Sequence, residues 1–372
     1  MNYEADIAII GAGPAGSTAA YLLSKVGLKV ILIDKCFFPR DKLCGGLVSA
    51  KALRLLEKIF DETEESLNQK QIINFSSNKF EFVCKKKSLA KCYTKVPTHF
   101  VERTVYDKFL LDKALDSGTK IIYGEEVKKV DLDSNILITS QGNKINSKYI
   151  IGADGANSIL RKEFEGIGSI DKESWLKNLG FAFETYIAKD KLSFETDTMY
   201  LYFGYMKTGY AWVFPNKDKL VVGIGGLLKE LNNKDFKTIF NSFLISLGLD
   251  KKTVDDYIKD IRGHPIPFGN FIENPVYKNT ILIGDAAGLV NPVTGEGIYY
   301  AQRSAEIAVD VILKNYNNPG NLVEDYTKNL NLHLMPELLK TRKRRNMYFR
   351  IFNNYYLGKI VTFFMFRKVK YV

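Results

Sequence analysis

The chain has 372 residues, 46% hydrophobic and 26% charged, the balance of a globular protein large enough for two domains that share an interface. Its net charge of +11 is unevenly placed: from Asn331 onward ten Lys or Arg stand against Glu337 alone, giving +9 and leaving +2 for the body before it. A nearly neutral body excludes an extended basic face for nucleic acid, and the tail requires its own explanation.

Asp6–Ile10 reads as a short apolar strand, followed by a glycine-rich turn, a helix over Ser17–Val26 and a second buried strand over Lys29–Ile33. A helix is predicted over Ser49–Phe60, and the alternation near 71–98 fits one half-buried antiparallel strand. Thr104–Ser117 reads as a helix, Lys120–Val130 as strands, and Tyr149–Ile151 as a strand entering GADGANS. Several aromatic-rich strands fill 175–226. Ile281–Ile283 is a further buried strand running into GDAAG, with a helix after Gly295.

Gly11-Ala12-Gly13-Pro14-Ala15-Gly16 lies between strand and helix, the context this motif requires. Gly11 permits the tight turn, Gly13 lets the backbone approach a pyrophosphate, and Gly16 allows close helix–strand packing. The helix start offers free N–H groups and positive dipole to the phosphates. Asp34, closing the second strand, is placed to accept from ribose hydroxyls. This segment alone leaves NAD and FAD open. Gly284-Asp285 after a buried strand, then Gly295-Glu296-Gly297-Ile298 at a helix start, decide for FAD: the acid reaches a ribityl or pyrophosphate hydroxyl, and the helix start suits the flavin's electron-rich edge. Gly152-Ala153-Asp154-Gly155 is the third such strand-to-turn element.

In this order of motifs, with VERTVYDKFLL and GADGANSILR between them, the chain resembles the p-hydroxybenzoate hydroxylase-type flavoproteins over roughly residues 5–305. The resemblance implies a discontinuous Rossmann-like FAD-binding domain (1–70, 99–160 and 265–315) on a mostly parallel sheet. It implies an α+β substrate domain (71–98 and 161–264) on an antiparallel sheet, with a basic helical segment over 316–372. Arg103 would then face the FAD pyrophosphate or ribityl region, and Val127 would lie against adenine. Lys35, Arg40, Asp154, Gly284, Asp285, Gly295, Gly297 and Ile298 would complete the cofactor shell.

Phe38-Pro39-Arg40-Asp41-Lys42-Leu43-Cys44-Gly45-Gly46-Leu47 and Gly209-Tyr210-Ala211-Trp212-Val213-Phe214-Pro215, with VVGIGG after them, narrow the likeness to the geranylgeranyl reductase family, which hydrogenates isoprenoid double bonds. That likeness implies backbone contacts from Cys44, Gly45 and Leu47 to FAD. It makes Cys44, Tyr210 and Trp212 the catalytic candidates and Tyr210, Trp212, Phe214 and Pro215 the substrate wall. Alternate strand residues share a face, so the aromatic row is either a wall of a prenyl slot or plain sheet core. Cys44 would deliver a proton, position the flavin, or fill space. A prenyl lipid, diphosphate or quinone is the implied substrate, and NAD(P)H or a ferredoxin the electron donor. A flavin monooxygenase or halogenase, whose GWxWxIP segment GYAWVFP partly matches, and a non-enzymatic prenyl carrier are the alternatives.

In the tail, Tyr348, Phe352, Tyr356, Ile360 and Phe363 recur at helical spacing among Arg350, Lys359, Arg367, Lys368 and Lys370, one apolar face on a basic helix. Such a helix either touches an anionic membrane or docks on the body. Four cysteines without CxxC spacing and three dispersed histidines suggest no metal site and fit a reducing compartment. With no leader pattern and no run of about 20 apolar residues, the expected location is cytoplasmic, peripheral on the membrane where the tail touches it.

Overall fold

A computed structural model of the protein describes residues 1–230, 233–259 and 261–366. β1 (Asn2–Ile10), α1 (Pro14–Lys25) and β2 (Val30–Asp34) form the predicted β-α-β unit. A long loop leads to β3 (Leu47–Val48), α2 (Ala50–Phe60), capped by the Ser49 hydroxyl, and α3 (Glu64–Gln69). The stretch expected as one strand is a hairpin, β4 (Ile73–Cys84) and β5 (Lys87–Val101). Its turn was illegible because Lys85 takes the positive φ that glycine or asparagine usually announces. There follow α4 (Arg103–Asp116), β6 (Lys120–Tyr123), β7 (Val127–Asp131), β8 (Ile136–Thr139) and β9 (Lys144–Gly152). Next come α5 (Ile159–Gly166), α6 (Lys172–Lys177), β10 (Leu179–Ala188), β11 (Met199–Phe203), β12 (Gly209–Pro215) and β13 (Lys219–Leu227). The chain continues through α7 (Asn233–Ser246), α8 (Lys251–Lys259), β14 (Arg262–Pro267), β15 (Val276–Tyr277) and β16 (Thr280–Leu282). It ends in α9 (Ile298–Lys314), α10 (Leu322–His333), α11 (Met335–Phe352) and α12 (Tyr355–Phe366).

Two sheets result, an α/β fold with the predicted parallel and antiparallel layers plus C-terminal helices. In the first, β16, β9, β1, β2 and β6 run parallel in that order, and β15, β8 and β7 add antiparallel edges. β2 is buried along its whole length, as strands covered on both faces are; α1, α4 and α9 pack together beside them. The second sheet has the order β14-β10-β13-β12-β11-β4-β5-β3, antiparallel except where β11 meets β4. β3 is notable here, because Leu47 pairs with Phe100 and ties the loop after β2 to the second sheet.

Alternation in the second sheet separates two faces. Ala211, Val213, Val222 and Ile224 pack under Phe236, Phe240 and Phe243 of α7. The opposite side chains, Trp212, Phe214, Val221 and Ala182, cluster with Phe100 toward the first sheet.

The single tail helix expected from the spacing is instead two. α11 and α12 break at Asn353, whose side-chain amide donates to Met206 O (2.8 Å) and accepts from Gly204 N–H (2.7 Å). The break turns the predicted stripe: Phe352 is buried, but Tyr356, Ile360 and Phe363 face outward at 75%, 56% and 57% exposure. α12 rests on β5 through Gly358 and Thr362, the latter bonding Leu89 O at 3.1 Å. Arg367, Lys368 and Lys370 lie outside the described residues. α11 is anchored by buried Arg345, which donates to Phe268 O and to Asn178 Oδ1 (2.9 Å). Arg345→Met leaves both acceptors unpaired and is expected to destabilise the fold by about 2–3 kcal/mol, read as a lower urea midpoint at unchanged slope.

Candidate active site

Three distant motifs meet in backbone contact at the carboxyl ends of the parallel strands. Gly11 has φ +98°, and a Cβ built on it would lie 2.5 Å from Ala153 O. A Cβ on Gly16 would lie 1.8 Å from Gly11 O, and one on Gly284 would lie 3.2 Å from the Ala15 methyl. The first turn of α1 opens with Pro14 and carries neither a side-chain cap nor an acid, so its N–H groups remain available to an anion. A Cβ on Gly13 would meet only an Arg40 guanidinium nitrogen, 3.5 Å away, so this backbone stays open to a ligand.

Asp34 braces this turn, accepting from Ala12 N–H (2.7 Å) and Cys36 N–H (2.9 Å). Each oxygen retains a lone pair for a ribose hydroxyl. Lys35 is exposed beside it, and Glu125 N–H reaches Asp34 O (3.3 Å), which brings buried Val127 at the start of β7 close to the same strand end. Asp154 accepts from Ile159 N–H (2.7 Å) on one oxygen while the other is buried without a partner among the described residues. Burial pushes its carboxyl above the usual range.

A cationic wall stands opposite. Arg103, at the start of α4, grips Asp107 with Nε and Nη2 at 2.7 and 2.8 Å, and Arg40 reaches the same carboxylate at 3.1 Å. Burial alone would lower the Arg103 pKa, but Asp107 and then Cys44 raise it. Two guanidinium groups on one carboxylate leave an unbalanced positive charge, which a diphosphate complements. Burial, with Arg103 adding to it, lowers Lys42 to about 8. Burial raises Asp285, opposed by Lys42 and Arg103. Gly297 sits where a Cβ would be 3.3 Å from Asp285 Oδ1, and Ile298 begins α9, another helix start without an acid or side-chain cap. Gly295, at φ +70°, lies on the same loop.

The Cys44–Leu47 segment lies across the second sheet. Cys44 Sγ accepts from Gly46 N–H at 3.5 Å, and a Cβ on Gly45 would strike Phe214 at 2.6 Å. The aromatic row exists, but as a packed layer: Trp212 and Phe214 are buried, and Trp212 lies where a Cβ on Gly223 would be 2.2 Å from Cζ2. Only Tyr210 stays partly accessible, and its hydroxyl donates to Thr294 O at 2.5 Å. Pro215 is buried at the end of β12 opposite Leu220, beyond the row.

The sequence reading missed Asp107, Lys42 and Glu184. Glu184 occupies a strand, LGFAFETYIA, in which a lone central acid was the available signal. It is 4% exposed and accepts Cys44 N–H at 3.2 Å through Oε1, while Oε2 has no hydrogen-bond partner among the described residues. Burial raises it to about 8 against the lowering effects of Cys44 N–H, Lys42 and Trp212. Lys42 and Cys44 line a cavity of about 150 Å³ with Arg103, Tyr186, Asn216 and Lys219.

These residues fit FAD: a glycine cradle at an open helix start, surplus positive charge for the diphosphate, and a second helix start for the ring. The FAD binding domain family matches residues 4–204, more than half of the chain, and the chain belongs to that family of FAD-dependent oxidoreductases. It is 33% identical to an uncharacterized protein of Methanosarcina barkeri over 82% of this chain and 74% of that one. It is 27% identical to the menaquinone reductase of Mycolicibacterium smegmatis (92% and 86% covered) and 29% identical to the geranylgeranyl diphosphate reductase of Synechocystis (84% and 76%). Among solved structures, a geranylgeranyl bacteriochlorophyll reductase-like protein from Thermoplasma acidophilum superposes with a TM-score of 0.79 at 20% identity, covering 97% of this chain and 91% of that one. Halogenase PltM, in complex with phloroglucinol and FAD, gives 0.74 at 17% identity over 95% and 78%. At these identities the two structures speak for the fold. The resemblance to the geranylgeranyl reductase family drawn from the motifs is borne out.

Gly16→Ala forces a methyl into Gly11 O and is expected to cost about 1–3 kcal/mol in packing and to leave a protein without flavin absorbance after FAD titration.

Proposed function

We propose that the chain is an FAD-dependent reductase that hydrogenates C=C bonds of an isoprenoid, geranylgeranyl-type chain carried on a lipid, diphosphate or quinone. The observation that carries this reading is the meeting of its two family-specific segments: Cys44–Leu47 lies directly on Trp212 and Phe214, beside the cofactor cleft. Reduced FAD, when bound, supplies the hydride. Arg40 and Arg103 hold the diphosphate, and Asp285, Gly297 and Ile298 line the ribityl chain and ring. Cys44, Gly45 and Leu47 support the ring from the sheet side. Tyr210, the partly accessible member of the row, presents its ring to the prenyl chain, and Trp212 and Phe214 packed behind it exclude water, which keeps reducing equivalents from side reactions. The residue sequence carries no second dinucleotide fingerprint, so the donor, NAD(P)H or a ferredoxin-type protein, acts transiently.

Anaerobic incubation of dithionite-reduced protein with geranylgeranyl diphosphate is expected to add two hydrogens per reduced bond, followed by mass spectrometry. Oxygen uptake with NAD(P)H would instead mark a monooxygenase where the product gains an oxygen atom, or a halogenase where halide is present and a halogen replaces hydrogen. A colourless purified protein that takes up no FAD would mark a carrier.

Peripheral membrane contact belongs to the same reading. No helix among the described residues is long and apolar enough to cross a membrane. α12 instead turns Tyr356, Leu357, Ile360 and Phe364 outward, with exposed Lys85, Lys86 and Lys87 at the hairpin turn near its start and Lys87 Nζ 5.2 Å from the Tyr355 ring centre. Such a face seats at an anionic interface, each cation adding about 1 kcal/mol. The double variant Ile360→Glu, Phe364→Glu is expected to weaken co-sedimentation with phosphatidylserine-containing vesicles by at least about tenfold while leaving FAD binding intact.

A further inference from the structure

Hydrogenating an alkene requires a proton as well as a hydride, and the three residues nominated from the sequence are poorly arranged to give one. The Tyr210 hydroxyl is committed to Thr294 O at 2.5 Å, and burial raises its pKa further above the ordinary phenol value. An indole N–H such as that of Trp212 does not titrate in water. The Cys44 sulfur is already engaged as an acceptor, taking Gly46 N–H at 3.5 Å beside the Arg103 guanidinium.

Beneath that segment lies an acid that the mechanism above does not use. Strand alternation places Glu184 on the same face of β10 as Ala182, hence on the side of the aromatic row. Its cross-strand neighbour on β13 is Gly223, the residue over which Trp212 lies, so no side chain from that strand covers it. One carboxyl oxygen holds Cys44 N–H, and the other is buried beside the Trp212 indole N–H, with no bond of good geometry to either group. We propose that Glu184 is the general acid of this site, the group from which the second alkene carbon draws its proton.

The inference rests on the reductase reading. In the step, the C=C π bond opens, one carbon takes hydride from reduced flavin, and the other takes the Glu184 carboxyl proton. The carboxylate left behind is stabilised by Cys44 N–H and the Lys42 ammonium. It regains a proton through Lys42, which lines the cavity whose rim includes exposed Asp41 and Tyr186. Burial raises Glu184 and lowers Lys42, each to about 8, which favours the protonated carboxyl at neutral pH. The charged and titratable groups around it are Lys42 and Asp41 from the loop before β3, Tyr186 on its own strand, and Arg262 and His264 on β14. Arg262 is paired with Asp41, and burial followed by Lys42 holds His264 down to about 3, so the imidazole is neutral. Because the protonated acid is the active form, activity falls as pH rises through about 8.

The test uses the FAD holoenzyme, with wild type, Glu184→Gln and Glu184→Asp compared. Gln keeps the acceptor for Cys44 N–H but has no transferable proton, and Asp keeps the acid. Infrared difference spectroscopy at neutral pH is expected to show a protonated buried carboxyl in the wild type that titrates away toward alkaline pH and is missing in Glu184→Gln. Anaerobic single-turnover oxidation of the reduced holoenzyme by geranylgeranyl diphosphate is expected to slow on the order of 100-fold in Glu184→Gln with loss of the alkaline limb, at unchanged FAD affinity. Glu184→Asp is expected to restore the limb and part of the rate. Wild-type rate and pH profile in Glu184→Gln, or a wild type whose carboxyl is already ionised at neutral pH, overturns the assignment of Glu184 alone. A wild type inert toward the prenyl alkene overturns the reductase reading and with it the alkene as proton acceptor.

Discussion

The site depends first on the backbone contact among the turns after β1, β9 and β16. No side chain larger than hydrogen fits between Gly11 and Ala153, or between Gly16 and the Gly11 carbonyl. That contact fixes where α1 begins, and so where its free N–H groups aim. It lies at the carboxyl ends of parallel strands, where open α/β sheets place their ligands because the loops there diverge and leave a crevice. Arg40 and Arg103 bring cations to the crevice from the loop after β2 and from α4, and Asp107 orders them without cancelling them.

The second structural decision is the route of the chain between β2 and α2. Instead of returning directly to the first sheet, it crosses to the second, pairs as β3 with β5, and lays Cys44–Gly46 against Trp212 and Phe214. This single crossing makes one site of two sheets. It also explains the two glycines: Gly45 yields to an aromatic ring, and Gly46, at φ +71°, yields to the Val101 carbonyl. The same crossing covers Glu184, which stays buried because the loop above it offers a backbone N–H and a lysine in place of water.

The C-terminal helices divide two tasks that the residue pattern had joined. α11 is bolted to the body by Arg345 and by Phe349 and Phe352, whereas α12 lies along β5 through Gly358, Thr362 and Lys359. The Asn353 side chain, bonded to three backbone groups around Gly204, Met206 and Lys207, is what redirects the chain. Helical spacing persists through the break, so the periodicity in the residues continues even though the faces do not.

Local order in the chain determined the β-α-β start, the FAD fingerprint, the two-sheet class and the family-specific segments, because each depends on glycine positions, strand alternation or motif spacing within a few tens of residues. Two strands hidden in one alternating stretch, and two helices hidden in one periodic tail, were not legible, since a lysine and an asparagine made the turns that glycine or proline would have announced. Which residues share the site was decided only by tertiary structure. Glu184, Lys42 and Asp107 are ordinary charged residues in the sequence. Folding sets Asp107 between two guanidinium groups and removes water from around Glu184 and Lys42, and burial, not residue type, is what shifts those two toward neutrality.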